Sequence, residues 1–225
     1  MNINSNAQTN IVKILLTCGA IAGPLFIITF LIEGATRPDY DPLRHPVSSL
    51  ALGNFGWMQS TNFVITGLLL LAFAMGLRRT LRPTFWRPLL VGSVGISLIG
   101  AGIFITDPIN GYPPGTPLML TEYSDHGRLH DLFGILTFLG LPIACLVFSF
   151  GFIRERKYGW AAYSAFSGIA MFVFFALASM GFAQVQDYAR FSGGFQRLSI
   201  ISGLGWIYLL AINLMRGLSE KAKLT

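Results

Sequence analysis

Two histidines near the middle of the chain have the spacing of a metal-binding pair. His126 and His130 stand four residues apart. Ser124 or Asp125 could cap a helix that begins just before them, because both residue types accept hydrogen bonds from the first free backbone N–H groups. Such a helix would place both imidazoles on one face, one turn apart. This is the spacing by which two imidazoles share a zinc ion.

A metal site at this pair would need further ligands from elsewhere in the chain. His45, Asp107 or Glu33 could complete three protein ligands, leaving the fourth position to a water molecule whose pKa Zn²⁺ lowers toward 7. No glutamate stands between the two histidines, so the pattern is less specific than the HExxH motif of zinc hydrolases. The same pair could equally hydrogen-bond to loop carbonyls in a purely structural role.

A wider set of polar residues belongs to three loops, two of which carry the histidines. The first loop is stiffened by Asp41-Pro42 and His45-Pro46, which favour turns and extended backbone. Arg197, in the third loop, is expected to form ion pairs with acids of the other loops. The residues predicted to form one binding cluster are Glu33, Asp41, Arg44, His45, Ser48, Asp107, His126, His130, Asp131 and Arg197.

Long apolar segments separate these loops. A bilayer core needs roughly 20 apolar residues per helix, and six segments meet this length; they lie at about 12–33, 57–77, 88–106, 129–153, 159–183 and 197–215. No segment shows the polar–apolar alternation of a membrane β-barrel strand. The sequence therefore predicts an all-α fold, a single membrane domain over residues 1–225 with six transmembrane helices in three outward-facing hairpins.

The charges predict the orientation of these hairpins. With both termini in the cytoplasm, eleven of the 16 Lys and Arg residues fall on the inner side, and eight of the ten Asp and Glu residues fall on the outer side. Short cytoplasmic loops carry such an excess of cations. We therefore expect a multi-pass protein of the cell (plasma or inner) membrane with both termini cytoplasmic and all three histidines on the outer face.

The composition excludes several classes of function. Charged residues make up only 12% of the chain, about half of what a soluble domain carries. The net charge of +6 therefore reflects topology, and we expect the lipid bilayer and no nucleic acid as a partner. No ionisable side chain lies in the middle third of any predicted span, which argues against an ion pump or a proton-coupled transporter.

Several short motifs resemble a known family. They are Asp41-Pro42, Val47-Ser48-Ser49-Leu50 followed by Gly53, Trp57 and Gly67, then Thr106-Asp107-Pro108 and the segment 127–130. Together they are similar to a family of prokaryotic membrane proteins known as domain of unknown function 998 (DUF998), from about Ile14 to Met215. The resemblance implies six spans and polar outer motifs at Asp41, Ser48, Asp107 and His130, and it implies no particular activity.

Three classes of function remain open at this point. The first is a binding or accessory membrane protein whose outer cluster recognises a lipid headgroup, a small ligand or a partner subunit. The second is a metal-dependent hydrolase at the outer leaflet, since three histidines, an aspartate and a serine are the residue types of membrane ceramidases and adiponectin receptors. The third is a carrier for a small or lipidic molecule.

Overall fold

A computed structural model describes residues 3–81 and 84–224, with side chains described for residues 8–81 and 84–220. These residues form six α-helices: α1 (Ile3–Thr36), α2 (Gly56–Thr80), α3 (Trp86–Ile103), α4 (Asp125–Arg154), α5 (Tyr158–Phe182) and α6 (Ser192–Leu224). All six are long and apolar enough to cross a membrane. The all-α architecture with six candidate spans predicted from hydropathy is therefore confirmed, and each predicted segment overlaps one helix.

The six helices form a closed ring. Each helix packs against its neighbours in the sequence, and α1 packs against α6, which closes the circle. Isoleucines and leucines such as Ile28, Leu68 and Ile169 remain exposed on the outside of the ring. Outward apolar side chains of this kind suit contact with lipid.

The two ends of the ring differ. Helices α2 and α3 come together near Leu81 and Phe85, and residues 155–157 join α4 to α5; both places lie at one end of the ring, which we call the turn end. The longer segments 37–55, 104–124 and 183–191 lie at the other, the loop end, and they include two 3₁₀ helices, Val47–Ala51 and Ala189–Phe191. All the residues predicted to form the binding cluster lie in or beside these loop-end segments.

The half of the ring nearer the turn end is filled by large side chains. Trp206 is fully buried, packs edge-on against Phe148 with ring centroids 5.2 Å apart, and donates a hydrogen bond to Ser164 Oγ over 2.9 Å. Arg87 is also buried there. Its guanidinium lies over the Phe148 ring and pairs with Glu155 at 3.2 Å.

Helix α3 ends earlier than the hydropathy predicts. Its last residue is Ile103, and Phe104 already has an extended backbone, whereas the apolar segment continues to residue 106. The residue before a proline disfavours the helical conformation, so Asp107 before Pro108 could not have continued the helix. The early end leaves the carbonyl of Phe104 free for a partner on α4.

Candidate ligand-binding site

Arg197 of α6 ties the first loop to the helix ring. Its guanidinium donates to the backbone carbonyls of Pro42, His45 and Gly193 at 2.5, 3.1 and 3.0 Å, and to the Tyr40 hydroxyl at 2.6 Å. Arg197 is only 9% exposed. Carbonyls and a phenol therefore satisfy this cation, in place of the ion pairs that the sequence suggested; the described residues show no ion pair for it.

Tyr40, whose hydroxyl accepts a hydrogen bond from Arg197, stays protonated. Burial raises the pKa of Tyr40 to about 12, although Arg197 opposes the shift. The Tyr40 hydroxyl donates to the Pro46 carbonyl over 2.9 Å. The phenol thus uses both its donor and its acceptor capacity inside the protein.

His45 lies between two aromatic rings in the same region. Its ring centroid is 5.4 Å from that of Tyr40 and 5.1 Å from that of Tyr112. The backbone N–H of Asp41 donates to His45 Nδ1 over 2.9 Å, and the ring also forms a hydrogen bond with the Asn110 backbone. Burial lowers the pKa of His45, with the nearby Asp41 carboxylate opposing the shift. A neutral ring with both nitrogens engaged has a structural role.

Asn110 connects all three loop-end segments. Its side-chain N–H groups donate to the Arg44 carbonyl at 3.1 Å and to Ser192 Oγ at 3.3 Å, and its oxygen accepts from Gln184 at 2.6 Å. We call Tyr40, His45, Asn110, Tyr112, Ser192 and Arg197 the loop cluster. Asn110 was not among the predicted residues, although the Asn110-Gly111 pair is a turn signal and Asn110 has the left-handed φ of 59° that such turns require.

Asp107 fastens the second loop to the start of α4. Its carboxylate accepts from the Ser124 backbone N–H and hydroxyl at 2.8 and 2.7 Å, and Ser124 Oγ accepts from the Gly127 N–H at 2.9 Å. Ser124 is thus the N-cap of α4, as predicted. A Cβ at Gly127 would collide with the Asp107 carboxylate, so this close approach requires glycine.

His130 uses only one of its two ring nitrogens within the protein. Its Nδ1 lies 2.9 Å from the Ala101 carbonyl and 2.8 Å from the Phe104 carbonyl, at the end of α3. Carbonyls only accept, so Nδ1 carries a proton, and in this tautomer Nε2 is a hydrogen-bond acceptor. Within the described residues Nε2 makes no hydrogen bond, although His130 is only 6% exposed.

His130 lines a cavity inside the loop-end half of the ring, and Nε2 is the ring nitrogen that the end of α3 leaves free. The cavity has a volume of about 430 Å³ and receives side chains from all six helices. Along α4 it runs from His130 to Leu141, a distance of about 16 Å at 1.5 Å per residue. Its deep end is lined by Leu141, Met171 and Leu204, all buried. A volume of this size lies within the usual range of small-molecule sites.

The packing between α4 and α5 loosens toward the loop end. Near the turn end, Ser149 Oγ donates to the Ala161 carbonyl over 2.8 Å, and further along Gly168 lies against Cys145 and Pro142. Phe138 and Phe175 then stack with centroids 4.5 Å apart.

Beyond this aromatic pair the two helices leave a gap. A Cβ at Gly134 of α4 would meet nothing within 4 Å, and Ser179 of α5 is exposed although both residues line the cavity. The second loop covers this gap with Leu118 and Met119, which are themselves exposed and apolar. Ser179, Leu118 and Met119 thus line the cavity and are exposed, so the cavity comes to the surface beside the loop-end halves of α4 and α5.

Polar groups are concentrated at the loop end of the cavity. Besides His130, its lining includes Ser48, Thr106, Asp107, Tyr123, Asp131 and Gln196. Gln196 Oε1 is already used, because it accepts from the Val47 N–H at 2.7 Å. Asp131 is exposed and lies at the rim. Among the described lining residues two are acidic and none is lysine or arginine.

The structure separates the predicted cluster into several places. Ser48, Asp107, His130 and Asp131 line the cavity, and His45, with the backbone of Arg44, belongs to the loop-end network. His126 is exposed beside Phe104, with ring centroids 5.6 Å apart. Glu33 pairs with Arg37 at 3.1 Å, and Asp41 Oδ1 accepts from the Leu43 N–H at 2.9 Å.

A zinc site would need at least three of these donors together. The part of the chain that the structure describes contains no group of three or more His, Cys, Asp or Glu residues placed to hold a metal ion. The set His45, His126, His130 and Asp107 thus stays a prediction from the sequence.

One buried polar strip was not foreseen. Gln59, Asn62 and Thr66 follow one face of α2, and Asn62 Nδ2 donates to the Phe26 carbonyl and to Gln59 Oε1, both at 3.2 Å. Gln59 Nε2, Asn62 Oδ1 and Thr66 Oγ1 are buried without a hydrogen-bond partner. The strip lies between α1 and α2, outside the cavity lining.

The chain matches the profile of one known protein family. The profile described as "Protein of unknown function (DUF998)" matches residues 20–213, most of the chain. No curated protein and no solved structure matches it. The site must therefore be interpreted from its own geometry.

Proposed function

We propose that this chain, which belongs to the DUF998 family of unknown function, binds one amphiphilic molecule drawn from the surrounding bilayer. The apolar part of the molecule would occupy the cavity, and its polar end would meet the groups around His130. The observation that carries the proposal is the cavity itself, which is apolar at depth, polar at the loop end and lined by exposed residues of α4, α5 and the second loop.

The shape of the cavity supports a chain-like ligand. It is elongated along α4 and ends at the buried residues Leu141, Met171 and Leu204. Burying apolar surface stabilises a complex by roughly 25 cal/mol per Å², so an alkyl chain gains affinity along the whole depth. Below the cavity, Trp206 and Phe148 fill the ring, which favours binding over passage through the protein.

The entrance suits a molecule that arrives from the lipid. The α4–α5 gap lies on the outside of a ring whose surface is apolar, and the exposed Leu118 and Met119 continue that surface over the gap. An amphiphile could slide in sideways while its polar end stays level with the loops. The predicted excess of cations on the inner side supports an extracytoplasmic position for the loop end, so the ligand would come from the outer leaflet.

Photo-crosslinking tests the proposal in proteoliposomes. A saturated fatty alcohol with a diazirine at the end of its chain should label Leu141, Met171 and Leu204, which lipid around the ring cannot reach because they are buried. Exposed residues of α5 such as Ile169 and Phe172 should be labelled in every sample and serve as the internal standard.

Two glycine variants provide a matched pair. Gly134 and Gly205 both lie in helices and have open space at the Cβ position, but only Gly134 lines the cavity. Gly134→Leu should reduce labelling of the deep residues at least about fivefold, and Gly205→Leu should leave it unchanged. Absence of deep labelling in the unmodified protein, or equal labelling in both variants, would overturn the proposal.

A further inference from the structure

We infer that the polar end of the bound amphiphile is a cation, such as an alkyl ammonium group, and not a phosphate or a carboxylate. This inference rests on the proposed function and adds the chemical class of the ligand. The observation behind it is that the cavity lining combines His130, whose Nε2 has no partner among the described residues, with the two carboxylates of Asp107 and Asp131.

The nitrogen of His130 is fixed in its direction. The two carbonyls at the end of α3 hold the opposite nitrogen, and the two ring nitrogens point to opposite sides of the imidazole. The Phe63 ring lies edge-on to the imidazole, with centroids 6.0 Å apart, and supports this orientation. Nε2 is not among the fully buried atoms that lack a partner, so it keeps an accessible surface at which a ligand can donate a hydrogen bond to it.

The charges around the polar end favour a cation. Asp107 and Asp131 are the charged residues among the described lining, and both are acidic. An anionic headgroup would lie against these carboxylates and be repelled, whereas an ammonium group would be attracted. The hydroxyls of Ser48, Thr106 and Tyr123 can accept or donate, so they suit either class.

Two nearby cations are unable to reverse this balance. Arg197 is not among the lining residues, and its guanidinium donates to carbonyls of the first loop and of its own helix and to the Tyr40 hydroxyl. Arg128 is exposed and lies 3.6 Å from Asp125, outside the cavity. The free amide group of Gln196 is the remaining fixed donor at this end, and a neutral amide attracts an anion far less than an arginine does.

Competition between three amphiphiles of equal chain length tests the charge class. Proteoliposomes of phosphatidylcholine, which carry no net surface charge, contain the fatty-alcohol probe described above. Dodecylamine, dodecanol and dodecanoate are then added at neutral pH, and labelling of Leu141, Met171 and Leu204 is measured against that of Ile169 and Phe172. We expect dodecylamine to compete at an about tenfold lower membrane concentration than dodecanoate, equivalent to about 1.4 kcal/mol.

A variant of one lining carboxylate, with a matched control, tests whether the preference for the amine depends on the rim of the cavity. Asp131→Asn removes a charge from the lining, and Asp125→Asn removes one from the same end of α4 outside it. The preference for the amine should fall to about threefold or less in Asp131→Asn and persist in Asp125→Asn.

The outcomes separate the two proposals. If no probe labels the deep residues, the proposed function fails. If the deep residues are labelled but dodecanoate competes as well as dodecylamine, or if Asp131→Asn keeps the full preference, binding stands and the inference about the cation is overturned.

Discussion

Two buried histidines at the loop end of the ring differ in how many of their ring nitrogens form hydrogen bonds within the protein. His45 has both nitrogens engaged, accepting from the Asp41 N–H and bonding to the Asn110 backbone, between two tyrosine rings. His130 lines a cavity and engages only Nδ1. Both residues are histidines and both are 6% exposed. What distinguishes the candidate binding residue from the structural one is therefore a ring nitrogen that has no hydrogen-bond partner in the protein.

The largest effect is expected from Arg197→Met, which tests whether the loop cluster stabilises the folded protein. Methionine keeps an apolar stem but removes four hydrogen bonds, leaving buried carbonyls and the Tyr40 hydroxyl without their donor. We expect the free energy of unfolding to fall by about 3–5 kcal/mol, which lowers the Tm of the detergent-solubilised protein by roughly 6–15 °C. Arg190→Met, at an exposed cation of the third loop, is the control. Equal Tm values for the two variants would refute a supporting role for the cluster.

The two functions of His130 can be separated with a pair of amides. In His130→Asn, the amide nitrogen can take the place of Nδ1 and keep a donor to the Ala101 and Phe104 carbonyls, while nothing replaces Nε2. In His130→Gln, the amide reaches the position of Nε2 and the bond to the carbonyls is lost. We therefore expect a Tm that is about 2–6 °C lower for the glutamine variant than for the asparagine variant.

The variant His130→Asn also tests whether Nε2 takes part in ligand binding. The asparagine variant should lose most of the preference for dodecylamine over dodecanoate, because its cavity lacks the acceptor. If the asparagine variant keeps that preference, Nε2 takes no part in recognition and His130 is a structural residue like His45.

The acid response of the protein should depend on His45. Burial lowers the pKa of His45 in the folded protein, so protonation favours the unfolded chain, where the pKa is near 6.5. Its contribution to stability is complete above pH 6.5 and is lost as the pH falls from there through the lowered pKa. Tm measured from about pH 8 to about pH 5 should therefore decline more steeply in the unmodified protein than in His45→Asn, whose amide oxygen can accept from the Asp41 N–H. Parallel pH profiles would show that His45 is not the responsible group.

The sequence predicts the parts of this molecule that depend on short stretches of chain. The six apolar segments correspond to the six helices because span length is a property of each segment alone. Ser124 is recognisable as an N-cap because it acts on Gly127, three residues away. The histidine pair is also local, yet its spacing could not tell that one ring, His126, is exposed while the other is buried.

The remaining features depend on contacts that no short stretch contains. Arg197 finds its carbonyl partners 155 and 152 residues away, and ion pairing was the only partner class that its charge suggested. The cavity is a gap between six helices, and its depth depends on which large side chains meet beneath it. The direction of His130 Nε2 follows from where α3 ends, which hydropathy placed three residues too late.

The closure of the ring by α1 against α6 also sets an order of assembly during synthesis. Pro42 and Tyr40 leave the ribosome long before Arg197, 155 residues after Pro42, which at 5–20 residues per second takes roughly 8–30 s. Over that interval the first loop lacks its hydrogen bonds from Arg197, and the cavity has no α6 wall. The binding site therefore stays incomplete until α6 is made, and a nascent chain is unable to take up its ligand before the final helix is in the membrane.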